Sequence, residues 1–335
     1  MTFDILTDGQ VILQARSEEL DGWMKTAFQT RLGTFGRDLT CFSPTAYPHN
    51  IPEHQQKSPH NFVSLSVTGT SCSLNCEHCQ GHLLKGMEPT LTPDALFQRC
   101  EEVRNLGGEG VLISGGSDSK GHVPLLRFGD VIRRVKQELG LEVVVHTGLV
   151  DEDTAQSLAN AGIDAAMLDV IGDETVSENV YHISEGPHKM RRSLDLLEFL
   201  GIPTVPHVLV GLDYGRLRGE IEALEMIAQG MPSAIVIIAL SPVRRTPMEG
   251  IAPPSPEDIG RVMTIARLGF ADIPVLLGCA RPMGSHKIMT DKYGVLSGMN
   301  GIAMISQEGV EFAKEKGLRP LFADVCCSLA YQSVG

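Results

Sequence analysis

The sequence predicts an α/β chain folded as one (β/α)8 barrel of the TIM type, with an extension at each end. Three observations predict it. Eight short apolar runs recur, and each is continuous rather than alternating, as strands buried on both faces should be. The stretches between them carry apolar residues at helical spacing and close on glycines, which end helices. With 335 residues, 42% of them hydrophobic, the chain can bury a sizeable core. Length alone suggests about two domains of ~150 residues, yet α/β barrels reach this size as one domain. An open doubly wound sheet is the alternative, and eight strand–helix units are many for one.

The first element expected is a helix over Ser17–Arg31, followed by a Pro/His-rich loop, "CFSPTAYPHNIPEHQQKSPH". These belong to an N-terminal extension of residues 1–60. The barrel is expected over 61–306. Its strands are Phe62–Gly69, Gly110–Gly116, Leu141–Gly148, Asp164–Gly172, Pro203–Leu212, Ser233–Pro242, Ile273–Pro282 and Gly301–Ser306. "PDALFQRCEEVRNLGG", "DEDTAQSLANAGI" and "SLDLLEFLGI" read as helices between them. Cys100, at an apolar position of the first of these, reads as a core residue. Residues 307–335 form a C-terminal extension: a helix in "QEGVEFAKEKGL", then the tail "RPLFADVCCSLAYQSVG".

The net charge of −13 argues against a nucleic-acid partner, which needs a basic face. The cluster "HKMRR" (His188–Arg192) is the local exception, and such clusters are commonly solvated helix starts. The N-terminus lacks a basic start followed by an apolar run, and no apolar stretch nears the ~20 residues that span a bilayer. The expected compartment is therefore the cytoplasm. In that reducing setting, eight cysteines read as metal ligands or reactive thiols before disulfides.

Three of the eight fall in "TGTSCSLNCEHCQGH", at Cys72, Cys76 and Cys79, just after the first strand. A structural zinc site needs four ligands, and His78 or His82 would have to supply the fourth. A three-cysteine loop at a barrel mouth better suits a [4Fe–4S] cluster with one iron left open. Active sites of such barrels lie at the C-terminal ends of the strands. There stand "ISGGSD" (with Gly115, Gly116 and Ser117), His146, Asp169, Gly211 and Cys279.

"CSLNCEHC" resembles the C-x3-C-x-φ-C motif of radical S-adenosylmethionine (SAM) enzymes, with His78 in the aromatic slot. The resemblance implies that the three thiolates hold the cluster and that SAM chelates the open iron. Its cleavage then yields a radical that abstracts hydrogen from an unactivated carbon. "ISGGSD" resembles the glycine motif that receives the methionine end of SAM, through Gly115, Gly116 and Ser117. Where the family has an acidic third residue, this chain has Ser117, followed by Asp118. "HVLVGL", with Gly211, resembles the segment along the adenine. His146, Asp169 and Arg191 or Arg192 are expected to contact the ribose and carboxylate. "SPVRRTPMEG" resembles a turn of the biotin-synthase group.

Biotin synthase itself holds its second cluster with cysteines of strands two, three and five. The matching strand ends here carry Ser114, His146 and no cysteine. Thiols lie instead at Cys41, Cys279, Cys326 and Cys327. The plain reading of these is small buried side chains. The alternative is convergence at the mouth, under folded-over extensions, to hold a second [4Fe–4S] cluster, with one of the adjacent pair as ligand. The sequence then looks closest to the archaeal-type lipoyl synthases, in which two proteins insert sulfur into an octanoyl chain. That likeness implies an octanoylated lipoyl-carrier protein, a paralogous partner synthase and a reductant such as ferredoxin or flavodoxin as partners. Two other readings stand beside it. One is a radical enzyme of the hydrogenase-maturation or methylornithine type, without a sulfur donor. The other is a zinc-stabilised barrel acting as a binding module.

Overall fold

The computed structural model describes residues 3–45 and 47–333. Eight parallel strands follow one another at Phe62–Ser66, Gly110–Ser114, Glu142–His146, Ala165–Met167, His207–Val210, Ile235–Ala239, Val275–Leu277 and Gly301–Ala303. Each lies inside one of the runs read from the sequence; strands one, two and eight are trimmed at the C-terminal end alone and the others at both ends. Strands one to four form one sheet and five to eight another. The bridges Ala166↔Thr204 and Asp169↔His207 join strand four to strand five. Every barrel pairing is parallel, with Val63 opposite Val111 and Val111 opposite Val143.

The strands carry two cores because successive side chains face opposite ways. Outward, Val111, Ile113, Val143 and Val145 meet the helices. Inward, Phe62, Val144, Ala165, Met167, Val236, Leu276 and Ala303 fill the lower barrel. Burying each such Val, Leu or Phe contributes roughly 1.5–3 kcal/mol. The helix Pro93–Asn105 illustrates the outer layer. The Thr92 hydroxyl caps it by accepting from Ala95 N at 3.2 Å, and proline opens it. Leu96, Cys100 and Val103 bury one face, so Cys100 is a core residue as its position implied.

Both extensions join the sheet. An N-terminal strand, Asp38–Phe42, pairs with strand eight, and a C-terminal strand, Arg319–Ala323, pairs with the N-terminal one. Cys41 is thus in a strand, not in the loop expected from the sequence. The chain then turns inward. Cys327, Leu329 and Ala330 pack among the inward-facing residues, and the Tyr331 hydroxyl donates to the Asp164 carbonyl, just before strand four. The tail plugs the barrel from the end where strands begin. It does not fold over the mouth, because its apolar residues find their burial inside.

Asp324 anchors this turn. Its carboxylate accepts from Ser43 Oγ at 2.7 Å and Lys57 N at 2.9 Å, and pairs with His54 Nε2 at 2.6 Å. Asn61 Nδ2 donates to its carbonyl at 2.9 Å. Among the described residues, no helix is long and apolar enough to cross a membrane.

Candidate active site

The cysteine loop is held by its own turns and by its neighbours. The backbone N–H groups of Cys79 and Gln80 both donate to Cys76 O, at 3.2 and 2.9 Å. Ser73 N donates to Ser117 O at 2.7 Å, and Glu77 N to Val180 O at 2.9 Å. Cys72, Cys76 and Cys79 consequently line one cavity of about 170 Å³, with His78, Gly115, Gly116, Ser117, His146 and Asp169. The Cys76 thiol is pushed up by its hydrogen bond to Cys79 and by burial. Cys79 is held down by that bond and by His78. Three thiolates so close repel one another unless a cationic centre neutralises them. His78 stacks on Tyr181, with ring centroids 5.1 Å apart, and its buried Nδ1 has no hydrogen-bond partner among the described residues.

The glycines act on the loop itself. A Cβ on Gly116 would fall onto the Ser71 carbonyl oxygen and lie 2.6 Å from Cys72 Cα. A Cβ on Gly115 would lie 3.0 Å from Thr68 Oγ1, the acceptor of the Gly116 N–H at 2.6 Å. Bare glycine therefore lets the strand-two turn seat directly against the cysteines. Gly116→Val should displace the loop, so that reconstituted protein loses iron together with SAM binding. Full iron content with SAM binding alone lost would contradict this.

Behind the loop lies a polar network that sequence reading caught only in part. Tyr181 Oη donates to Asp169 Oδ2 at 2.7 Å, and His146 Nε2 stands 3.5 Å from Asp169 Oδ1. Asp169 and His146 lie deep in the chain but keep 23% and 31% of their side-chain surface open, since cavities border them. Burial would raise Asp169, but His146, His207 and Tyr181 outweigh it and hold the carboxyl well below the usual range. Burial would lower His146, but Asp169 outweighs it and the imidazole is raised. His207 is pushed down to about 4 by burial and by the charge of His146. Tyr181 had no sequence signal. His207 had one: it is a lone polar residue in an apolar strand.

A second cavity, of about 380 Å³, adjoins the first and shares His78, Leu83, Leu84, His146 and Asp169 with it. Apolar side chains from strands two, four, five and six form much of its wall. Cys279 borders it from the end of strand seven, and Cys326 and Cys327 from the tail. Cys279 is exposed and borders this cavity. Ser328 Oγ donates to Cys326 Sγ at 3.0 Å. With the hydrogen bond from Cys327, this brings the Cys326 thiol down to about 7. Among the described residues, no three His, Cys, Asp or Glu side chains are gathered tightly enough to hold a single metal ion.

Four expected site residues stand elsewhere. Cys41 is 1% exposed and belongs to the outer core with Leu39, because strand alternation turns Phe42 inward and Cys41 outward. Arg191 is used structurally: it binds Asp195 at 2.6 Å, four residues on, and the Met226 carbonyl at 2.8 Å. Arg192, 65% exposed, pairs with Glu152 at 3.2 Å and does not line the cysteine cavity. Gly211 also lies outside both cavities. It has φ +78°, and a Cβ there would lie 2.6 Å from Pro254 Cγ.

The Gly211 N–H donates to Glu220 Oε1 at 2.8 Å. Burial pushes the Glu220 carboxyl up to about 7, against the pull of backbone N–H groups. Between its ordinary 4.5 and 7, the folded chain holds a proton that the unfolded chain releases. Its contribution to stability is therefore greatest below 4.5 and is lost as pH rises through 7. Glu220→Gln keeps the acceptor and removes the charge. Denaturant unfolding near pH 8 should show a gain of about 1–3 kcal/mol that vanishes near pH 4.

The Radical SAM superfamily matches residues 66–214. A biotin synthase of Burkholderia ambifaria is 26% identical over 226 residues, spanning 65% of this chain and 65% of that protein's length. One of Neorickettsia sennetsu is 24% identical over 251 residues, 71% of this chain and 75% of its own. Among solved structures, methylornithine synthase (PylB) superposes with a TM-score of 0.66 at 18% identity, covering 100% of this chain and 97% of its own. HydG, a maturase of the [FeFe]-hydrogenase, gives 0.67 at 16% identity, covering 97% and 73%. Those two likenesses concern the fold. The superfamily implies a [4Fe–4S] cluster and SAM. Three thiols on one loop, the unpartnered His78 Nδ1 and the glycine turn seated against them fit that pair. Residues 66–214 thus resemble the radical SAM superfamily, and the chain is similar to biotin synthases at low identity.

Proposed function

We propose that this chain inserts sulfur at unactivated C–H carbons, as one partner of a two-protein lipoyl synthase acting on a protein-bound octanoyl chain. One observation carries the reading: Cys279, Cys326 and Cys327 border the apolar cavity that shares a wall with the cysteine-loop cavity. When bound, the first cluster with SAM supplies the hydrogen-abstracting radical, and a second cluster supplies sulfur. Cys72, Cys76 and Cys79 would hold the first; Cys279 with Cys326 or Cys327 would hold the second.

The protein's own part is placement and exclusion of water. Leu112, Met167, Leu209, Val236, Ile238 and Leu240 line a space suited to an uncharged chain. About 380 Å³ falls within the usual range for small-molecule sites. Asp169 and His146 border both cavities and would face the cofactor on one side and the substrate on the other. An octanoylated lipoyl-carrier protein, a paralogous synthase and a low-potential reductant such as ferredoxin or flavodoxin are the partners this reading requires. Relatives named biotin synthase support the same class of chemistry.

The test is an anaerobic iron and sulfide count, followed by one turnover on an octanoyl-lysine peptide with the candidate partner present. Two clusters, about eight irons per chain, and a sulfur-bearing product are expected. One cluster with intact SAM cleavage would favour a radical enzyme without a sulfur donor. Zinc in place of iron would overturn both.

A further inference from the structure

We infer that His207 is a nitrogen ligand of the second cluster, completing a mixed sulfur–nitrogen donor set. This rests on the sulfur-insertion reading above and goes beyond it, since that reading draws on thiols alone. His207 opens strand five and borders the cavity that Cys279, Cys326 and Cys327 border. Its ring is already oriented. Nδ1 lies 3.1 Å from the Val205 carbonyl oxygen, which can only accept, so Nδ1 carries the hydrogen. In the neutral ring the lone pair is then on Nε2, which has no hydrogen-bond partner among the described residues. A backbone carbonyl holding the far nitrogen is the usual arrangement behind a metal-bound imidazole.

The backbone is equally fixed. His207 N donates to Leu168 O at 2.9 Å, and the residue pairs with Val236 of strand six. Two other imidazoles border this cavity: His78, which belongs to the Cys72–Cys79 loop of the first centre, and His146, with its ring centroid 5.6 Å from that of His207. The engaged one is His146. Its Nε2 faces Asp169 at 3.5 Å, so it is engaged as that carboxylate's partner. Asp169 is in turn bound by Tyr181. With His78 carried on the loop of the first centre and His146 engaged, the imidazole left to the cavity that the three thiols border is that of His207. Replacing a thiolate by imidazole at a cluster raises its reduction potential.

The experiment uses the full chain reconstituted with iron and sulfide, reduced and without SAM, so that SAM adds no nitrogen of its own. Pulsed EPR should detect a directly coordinated nitrogen. Labelling the protein with 15N-histidine should convert that signal to the 15N pattern, with no mutation made. His207→Ala should abolish it, and His207→Cys should restore a full iron count with a lower potential at the second cluster. A chain holding about eight irons but no coordinated nitrogen overturns this assignment alone. So does a nitrogen signal unchanged in His207→Ala. A chain holding only about four irons overturns the sulfur-insertion reading and the assignment together.

Discussion

Cys76→Ala brings 5′-deoxyadenosine formation down to the level of a protein-free control and removes about four irons per chain. Cys76 is the most deeply buried of the three loop thiols, and its carbonyl accepts two backbone hydrogen bonds of the loop. Alanine keeps those backbone bonds and changes little volume, so the fold should survive. What is lost is one donor in a cavity where Cys72 and Cys79 cannot compensate. Circular dichroism matching the parent, with iron and cleavage both gone, is the expected pair of results. Robust 5′-deoxyadenosine formation by this variant would remove the loop from the chemistry.

Replacing Cys279 and Cys326 together should have the complementary effect. Iron falls from about eight to about four per chain, SAM cleavage persists and carbon–sulfur bond formation is lost. The two thiols approach the cavity from different parts of the chain, the end of strand seven and the C-terminal tail. Neither belongs to the loop at Cys72–Cys79, so the first centre should be untouched. Cys41→Ala is the matched control. Its thiol, pushed up to about 12 by burial and by Asp291, faces the helix layer, and its loss should leave the iron count unchanged. An unchanged count in the double variant would place the sulfur donor elsewhere or abolish it.

Much of this site was legible in the chain because it is local. The three loop cysteines sit within eight residues, so their convergence needs only one turn. Gly115 and Gly116 end a strand whose neighbour carries that loop, and adjacent parallel strands bring their C-terminal turns together. His146 ends strand three and Asp169 lies just past strand four by the same rule. Arg191 stands outside both cavities for a local reason that the sequence also held: Asp195, four residues on, is its natural partner on a helix.

What the sequence by itself determined is therefore the eight-strand α/β repeat and the cysteine loop at its mouth. Hydrophobic period and short-range spacing encode both. Only the tertiary structure decided which distant thiols share a cavity. Cys41 lies in a strand that pairs beyond the eighth, and the parity of that strand points it away from the lumen. Cys326 and Cys327 sit in a tail without strong periodicity, and its path into the barrel depends on the space left by inward residues of many strands. The His54–Asp324 anchor that turns the tail inward joins groups far apart in the chain. Such placements sum contributions over the whole fold, and no window of sequence contains them.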